Sequence, residues 1–317
     1  MRASANHEIA MLLDYDKIDP ELKPALEALP PLEITRENVA MIRELLANQP
    51  TPEPPYQVDE DVLSVPGPDG DVPVYVYRKE KRPGQSVLLW IHGGGYLIGS
   101  AQDERARTIA HELDCTVLSV EYRLAPEHPF PAGPEDCYAV LEWMFANAES
   151  LGIDSTRVAI GGASAGGGMA AGVALMNRDR ANHPLALQLL LYPMVDNLHD
   201  TESGQYENHP VWNQGTSFRA WEMYLDGEPG LDAPAYAAAT RASDLSGLPP
   251  AYVCVGAEDL FRDEDVAYAQ RLNAANVPCE LAVFPGLYHG ADMFVPDAAI
   301  SRRLQRSFLA ALGDALR

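Results

Sequence analysis

A chain that runs Val158-Ala159-Ile160 into Gly161-Gly162-Ala163-Ser164-Ala165-Gly166-Gly167-Gly168, and then into an apolar segment ending near Met176, has few ways to fold. The stretch reads as a strand, a turn that only small residues allow, and a helix. A serine on such a bend is pushed clear of the backbone, and Gly162 and Gly166 remove the side chains that would collide around it. Ser164 is therefore a candidate nucleophile. A serine hydroxyl needs a base and a group to orient that base before it can act, so the rest of the chain has to supply partners.

The surrounding pattern places this turn in an α/β architecture. Val58 to Val65 and Val72 to Tyr77 flank the turn Pro66-Gly67-Pro68-Asp69-Gly70 and read as an antiparallel hairpin. Strand and helix patterns then alternate: strands at Ser86 to Ile91, Cys115 to Glu121, Val158 to Ile160, Leu185 to Tyr192, Ala251 to Val255 and Glu280 to Phe284, with helices at Arg105 to Leu113, Gly133 to Ala148, Glu264 to Ala275 and Ile300 to Leu316. Apolar strands of this kind, alternating with helices, predict a mostly parallel central sheet with helices on both faces. Ligands of such sheets bind beyond the carboxyl ends of the strands.

Two segments stand apart. Residues 1–55 carry two short helical patterns, Pro20 to Leu29 and Thr35 to Asn48, the second with Thr35 as its cap and an apolar stripe of Val39, Ile42, Leu45 and Leu46. The Pro-rich stretch Gln49 to Pro55 predicts a boundary. Residues 197–248 interrupt the strand and helix rhythm with a long polar insertion carrying scattered aromatics, as lids and binding elements do. The catalytic domain is expected over 56–317.

Composition removes several classes of function. The 317 residues hold 46 acidic against 23 basic side chains, a formal charge of -23, which disfavours nucleic acid and anionic membrane surfaces as partners. The four cysteines, Cys115, Cys137, Cys254 and Cys279, form no C-x-x-C pair and read as reduced core residues, with no metal site and no disulfide framework. The apolar run Ile9 to Leu13 is too short for a signal peptide and is followed by Asp14 and Asp16, so a cytoplasmic location is expected.

His289, in the loop after the strand Glu280 to Phe284, is the best placed base for Ser164. Asp259, just past the strand Ala251 to Val255, is preferred as its orienting carboxylate over Glu258, Asp263 and Asp265, with Asp263 reading as the N-cap of the next helix. The chain order Ser164, Asp259, His289 is that of the α/β-hydrolase triad. The glycines of His92-Gly93-Gly94-Gly95 follow a strand directly and can turn backbone N-H groups toward a developing oxyanion, together with the N-H of Ala165. Neither glycine cluster has the spacing of a phosphate or dinucleotide site.

The motifs His92-Gly93-Gly94-Gly95, Glu121-Tyr122-Arg123-Leu124-Ala125-Pro126-Glu127-His128-Pro129-Phe130-Pro131-Ala132 and Gly162-Ala163-Ser164-Ala165-Gly166-Gly167 together resemble the hormone-sensitive-lipase family of bacterial carboxylesterases, over roughly residues 58–317. The resemblance implies an α/β-hydrolase with a helical cap built from the N-terminal helices and the insertion. It also implies Ser164, Asp259 and His289 as triad, and Gly94, Gly95 and Ala165 as oxyanion donors. Three departures from the family pattern stand out: Ala163, the pair Leu260-Phe261, and Ala291. The expected activity is hydrolysis of short- to medium-chain carboxylic esters, with no cofactor. Amide hydrolysis on the same triad and a non-catalytic receptor are the alternatives. Tyr96, Trp212, Phe218, Trp221 and Tyr288 are candidates to line the pocket. The expected partner is a small-molecule ester, with a homodimer left open as the assembly.

Overall fold

A computed structural model describes residues 12–30, 33–48 and 56–317. The Pro-rich boundary 49–55, and most of the Ile9 to Leu13 run, lie outside the described residues. In chain order the helices are α1 (Lys23–Ala28), α2 (Val39–Ala47), α3 (Glu104–Leu113), α4 (Ala132–Ala146), α5 (Ala148–Leu151), α6 (Ala165–Arg180), α7 (Gln214–Leu225), α8 (Arg262–Ala274), α9 (Ala291–Phe294) and α10 (Ala299–Ala315). The strands are β1 (Asp59–Gly67), β2 (Gly70–Arg78), β3 (Gln85–Ile91), β4 (Thr116–Val120), β5 (Ile153–Ala163), β6 (Leu187–Leu191), β7 (Ala251–Gly256) and β8 (Cys279–Phe284).

The strands form one eight-stranded sheet in the order β1-β2-β4-β3-β5-β6-β7-β8. The β1-β2 hairpin is antiparallel and β2 joins β4 antiparallel, whereas every pairing from β4 to β8 is parallel. Every residue of β3, β4, β6 and β7 is buried. A strand without a solvated face must be covered on both sides. Contacts of α3 with α10 and of α4 with α6, all four helices also touching the sheet, supply that cover.

Several local expectations change. α2 begins at Val39 because Thr35 to Asn38 form a preceding turn, in which the Asn38 side chain accepts the Thr35 N-H (2.8 Å) and Thr35 C=O accepts the Val39 N-H (3.0 Å). Its stripe is only half covered: Val39 is buried and Ile42 half-buried, but Leu45 and Leu46 are 56% and 49% exposed. The strand expected at Val158 to Ile160 is longer, because pairing with β3 and β6 extends through Gly162 and Ala163. Asp263 lies in the first turn of α8 rather than at its cap. All four cysteines are free, and Cys279 is only half-buried, on the edge strand β8.

The N-terminal segment and the insertion are tied to each other and to the loops at the carboxyl ends of the strands. Arg219 donates to Ile34 C=O (3.2 Å) and Asn208 accepts the Leu13 N-H (2.7 Å), joining the two segments. Asp19 N-H donates to Gly286 C=O (3.0 Å) in the loop before His289. Arg43 of α2 donates to Leu97 C=O (2.6 Å) and Ala125 C=O (2.5 Å) and pairs with Glu127. On the insertion, Trp221 and Tyr224 of α7 pack with Tyr96, the Tyr96 and Tyr224 rings stacking at 3.9 Å.

Candidate active site

Ser164 stands between β5 and α6 with φ 56° and ψ -123°, a conformation that non-glycine residues seldom adopt. The backbone around it is too crowded for side chains. A Cβ on Gly166 would lie 2.1 Å from Ile91 C=O, and one on Gly162 would lie 2.3 Å from Gly166 C=O. The strained turn is held from both sides: Ser164 N-H donates to Leu191 C=O and Ser164 C=O accepts the Met194 N-H, each at 2.9 Å.

The loops after β7 and β8 bring the other two side chains to this turn. Ser164 Oγ lies 2.9 Å from His289 Nε2, and His289 Nδ1 lies 2.9 Å from Asp259 Oδ2. Asp259 is fully buried, and its other oxygen accepts the Phe261 N-H (3.0 Å). A buried carboxylate accepting from Nδ1-H fixes the tautomer that leaves Nε2 free to accept the serine proton. None of the rival acids is bonded to His289 among the described residues. Asp263 accepts the Ser203 N-H (2.9 Å) and pairs with Arg262, burial pushes the Glu258 carboxyl up against the opposing pull of Lys17 and Arg262, and Asp265 is buried with neither oxygen partnered among the described residues.

The glycine loop after β3 faces the same turn. Gly94 and Gly95 have φ 117° and 62°, in the region that favours glycine. Among the described residues, no acceptor is bonded to the N-H of Gly94, Gly95 or Ala165. The segment Glu121 to Ala132 braces this loop. Tyr122 Oη donates to His92 C=O (2.9 Å) while its ring stacks on the His92 imidazole at 4.3 Å, Ala125 N-H donates to Tyr96 C=O (3.0 Å), and Glu121 accepts the Ala101 N-H (2.7 Å). Burial lowers the His92 imidazole below its usual range, so the ring is neutral and its Nδ1-H donates to Gly93 C=O (2.8 Å).

The five aromatic candidates for the pocket divide. Trp212 lies against the glycine loop, so that a Cβ on Gly95 would meet its ring at 2.2 Å. Tyr96 and Trp221 are fully buried where α7 meets that loop, with Tyr96 Oη on Met194 C=O (2.9 Å). Tyr288, next to His289, is also fully buried. Phe218 is 39% exposed: it falls on the outward side of α7, whose inward side is taken by Ser217, Trp221 and Tyr224. Sequence reasoning missed His209, a fully buried imidazole that desolvation lowers to about 4, with Asp259 opposing and His289 assisting. It also missed a second chain of the same order, Ser217 Oγ to His199 Nε2 (2.7 Å) and His199 Nδ1 to Glu264 Oε2 (3.2 Å). That chain is sealed from solvent and ties α7 to α8. Burial pushes the Glu264 carboxyl up and the His199 imidazole down, so the pair is uncharged. No spacing in the sequence marks it, because His199 and Ser217 lie within the insertion and Glu264 lies beyond it in α8.

Known proteins resemble this chain in sequence and in fold. Carboxylesterase NlhH of Mycobacterium tuberculosis is 37% identical over 302 residues, 89% of this chain and 92% of that protein. Ethyl acetate hydrolase of Pseudomonas putida is 33% identical over 241 residues, 72% of this chain and 74% of that protein. The solved structure of a bacterial heroin esterase superposes with a TM-score of 0.87 at 39% identity, covering 96% of this chain and 99% of that one. A family model described as alpha/beta hydrolase fold matches residues 88–293, and the chain belongs to that family, as one of its hormone-sensitive-lipase-like members.

Proposed function

We propose that this protein is a serine carboxylesterase acting on esters of short- to medium-chain acids, with Ser164, His289 and Asp259 as its triad and a cap formed by the N-terminal segment and residues 197–248. The observation that carries the reading is the pair of 2.9 Å contacts running Ser164 Oγ to His289 Nε2 and His289 Nδ1 to Asp259 Oδ2, beside three backbone N-H groups bonded to no acceptor among the described residues. Ser164 Oγ attacks the ester carbonyl carbon as its proton passes to His289 Nε2. The oxyanion of the tetrahedral intermediate accepts from the N-H groups of Gly94, Gly95 and Ala165. Collapse breaks the bond to the alcohol oxygen, which takes the proton from His289, and leaves an acyl-enzyme. Water then attacks the acyl carbon through the same steps and releases the acid.

The short- to medium-chain range is inferred from Trp212 lying against Gly95 and from the aromatic contact of Tyr96 with Trp221 and Tyr224 of the insertion, side chains that crowd the glycine loop. The relative named ethyl acetate hydrolase points the same way. Nitrophenyl esters from C2 to C12 test it: kcat/KM is expected to peak between C2 and C8, and a maximum at C12 contradicts it. Matched ester and anilide substrates separate esterase from amidase, since the amide requires protonation of its leaving nitrogen. A faster anilide rate rejects the ester reading.

A further inference from the structure

We propose that Arg105, Tyr192 and Asp292 form a strut that sets the separation of Ser164 and His289, so that all three are positioning residues for the reaction, a role that rests on the triad reading above. Tyr192 is the first residue after β6. Leu191 just before it and Met194 two residues after it hold the nucleophile's backbone, through the Leu191 C=O and Met194 N-H contacts with Ser164. Its side chain reaches the other partner. The Tyr192 ring stands edge-on to the His289 imidazole at 5.0 Å and 71°, and its hydroxyl donates to Asp292 Oδ1 (2.9 Å). Asp292 lies in α9, three residues beyond His289, so it reports the position of the histidine loop.

Arg105 of α3 closes the arrangement from outside. Its Nη2 donates to Tyr192 Oη (2.6 Å) and to Asp292 Oδ2 (2.7 Å). Each of the three side chains thus touches the other two. The Arg105 and Asp292 side chains are each only 10% exposed, and Tyr192 is buried. Tyr192 also has φ 36°, a left-handed value rarely taken by an aromatic residue. An ion pair this buried contributes little net stability against its desolvation, whereas a planar guanidinium fixes two acceptors in a set geometry. Strain and buried charge next to a reacting pair are what a positioning device costs. The resulting precision matters because a displacement of about 1 Å between reacting groups costs about 100-fold in rate.

The test compares full-length Tyr192→Phe, Asp292→Asn, Arg105→Met and Arg105→Lys with the parent and with Ser164→Ala, measuring kcat and KM on nitrophenyl butyrate and thermal melting by circular dichroism. Tyr192→Phe removes one oxygen and keeps the ring, so it isolates the strut from packing. The strut predicts that kcat falls about 5- to 50-fold in Tyr192→Phe and Asp292→Asn with KM within about twofold. It also predicts that Arg105→Lys recovers part of the loss seen in Arg105→Met, and that the Tyr192→Phe/Asp292→Asn pair is no slower than the slower single variant. Folded variants with kcat within twofold of the parent, beside an inactive Ser164→Ala, overturn the strut and leave the triad standing. Equal changes in kcat and KM, or fully multiplicative losses in the pair, overturn it too. An active Ser164→Ala removes the triad reading on which it rests.

Discussion

His209 makes the stability of this protein depend on pH in a way that one substitution isolates. The imidazole is fully buried, and its Nδ1 accepts the N-H groups of Val211 and Trp212, both at 3.2 Å. Protonating Nδ1 would turn an acceptor into a donor facing two donors. Desolvation, opposed by Asp259 and assisted by His289, lowers this group to about 4 from the usual 6.5. Between those values the unfolded chain binds more protons than the folded one, so stability is full above pH 6.5 and is lost as pH falls toward 4. The linkage amounts to about 3 kcal/mol for this residue. Asn can replace His209 as the acceptor of the turn, through its side-chain oxygen, but does not titrate. Urea unfolding of the parent and His209→Asn at pH 7, 6, 5 and 4 measures the difference. The two proteins are expected to lie within about 1 kcal/mol at pH 7, and the parent to lose about 3 kcal/mol more by pH 4. Parallel losses across the window would refute the reasoning.

Other predictions follow from buried polar groups and from the glycine loop. Asp265 has no partner for either oxygen among the described residues and burial pushes its carboxyl up, so folding favours its protonated form, and its effect on stability worsens as pH rises above the carboxylate range. Asp265→Asn should raise Tm, more at pH 8 than at pH 5, and an equal gain at both pH values would contradict this. Ser217→Ala leaves His199 Nε2 without its contact and should cost about 1–3 kcal/mol in urea unfolding, with kcat unchanged once folded. Gly95→Ala combines a left-handed φ with a Cβ only 2.2 Å from the Trp212 ring. A misplaced oxyanion donor lowers kcat by about 100- to 1,000-fold, and a variant within tenfold of the parent would argue against the loop's role.

The fold was legible where the sequence repeats one kind of event. Long apolar strands such as Ser86 to Ile91, and the glycine turns at 93–95 and 162–168, specify backbone paths that few other residues permit. Asp259 and His289 could be placed because each lies just past a strand whose carboxyl end is fixed by the sheet. What escaped was set by contacts distant in sequence. Phe218 and Trp221 are alike in composition, and only the docking of α7 on Tyr96 decides that one faces solvent and the other is buried. Leu45 and Leu46 follow the helical period, yet they are exposed because α2 is held by Arg43 and Val39 instead. The Arg105, Tyr192 and Asp292 contact joins three elements, and no local pattern announces it. Phe261, a departure from the family pattern, packs edge-on against His289 at 5.0 Å.

The central claim is that Ser164 carries the acyl group. Reacting the parent with a fluorophosphonate and locating the adduct by peptide mass spectrometry, with nitrophenyl butyrate turnover followed in parallel, measures this directly. A single adduct on the peptide containing Ser164, with neither label nor turnover in a folded Ser164→Ala variant, is the predicted result. Labelling at another residue, or full turnover by Ser164→Ala, would contradict it.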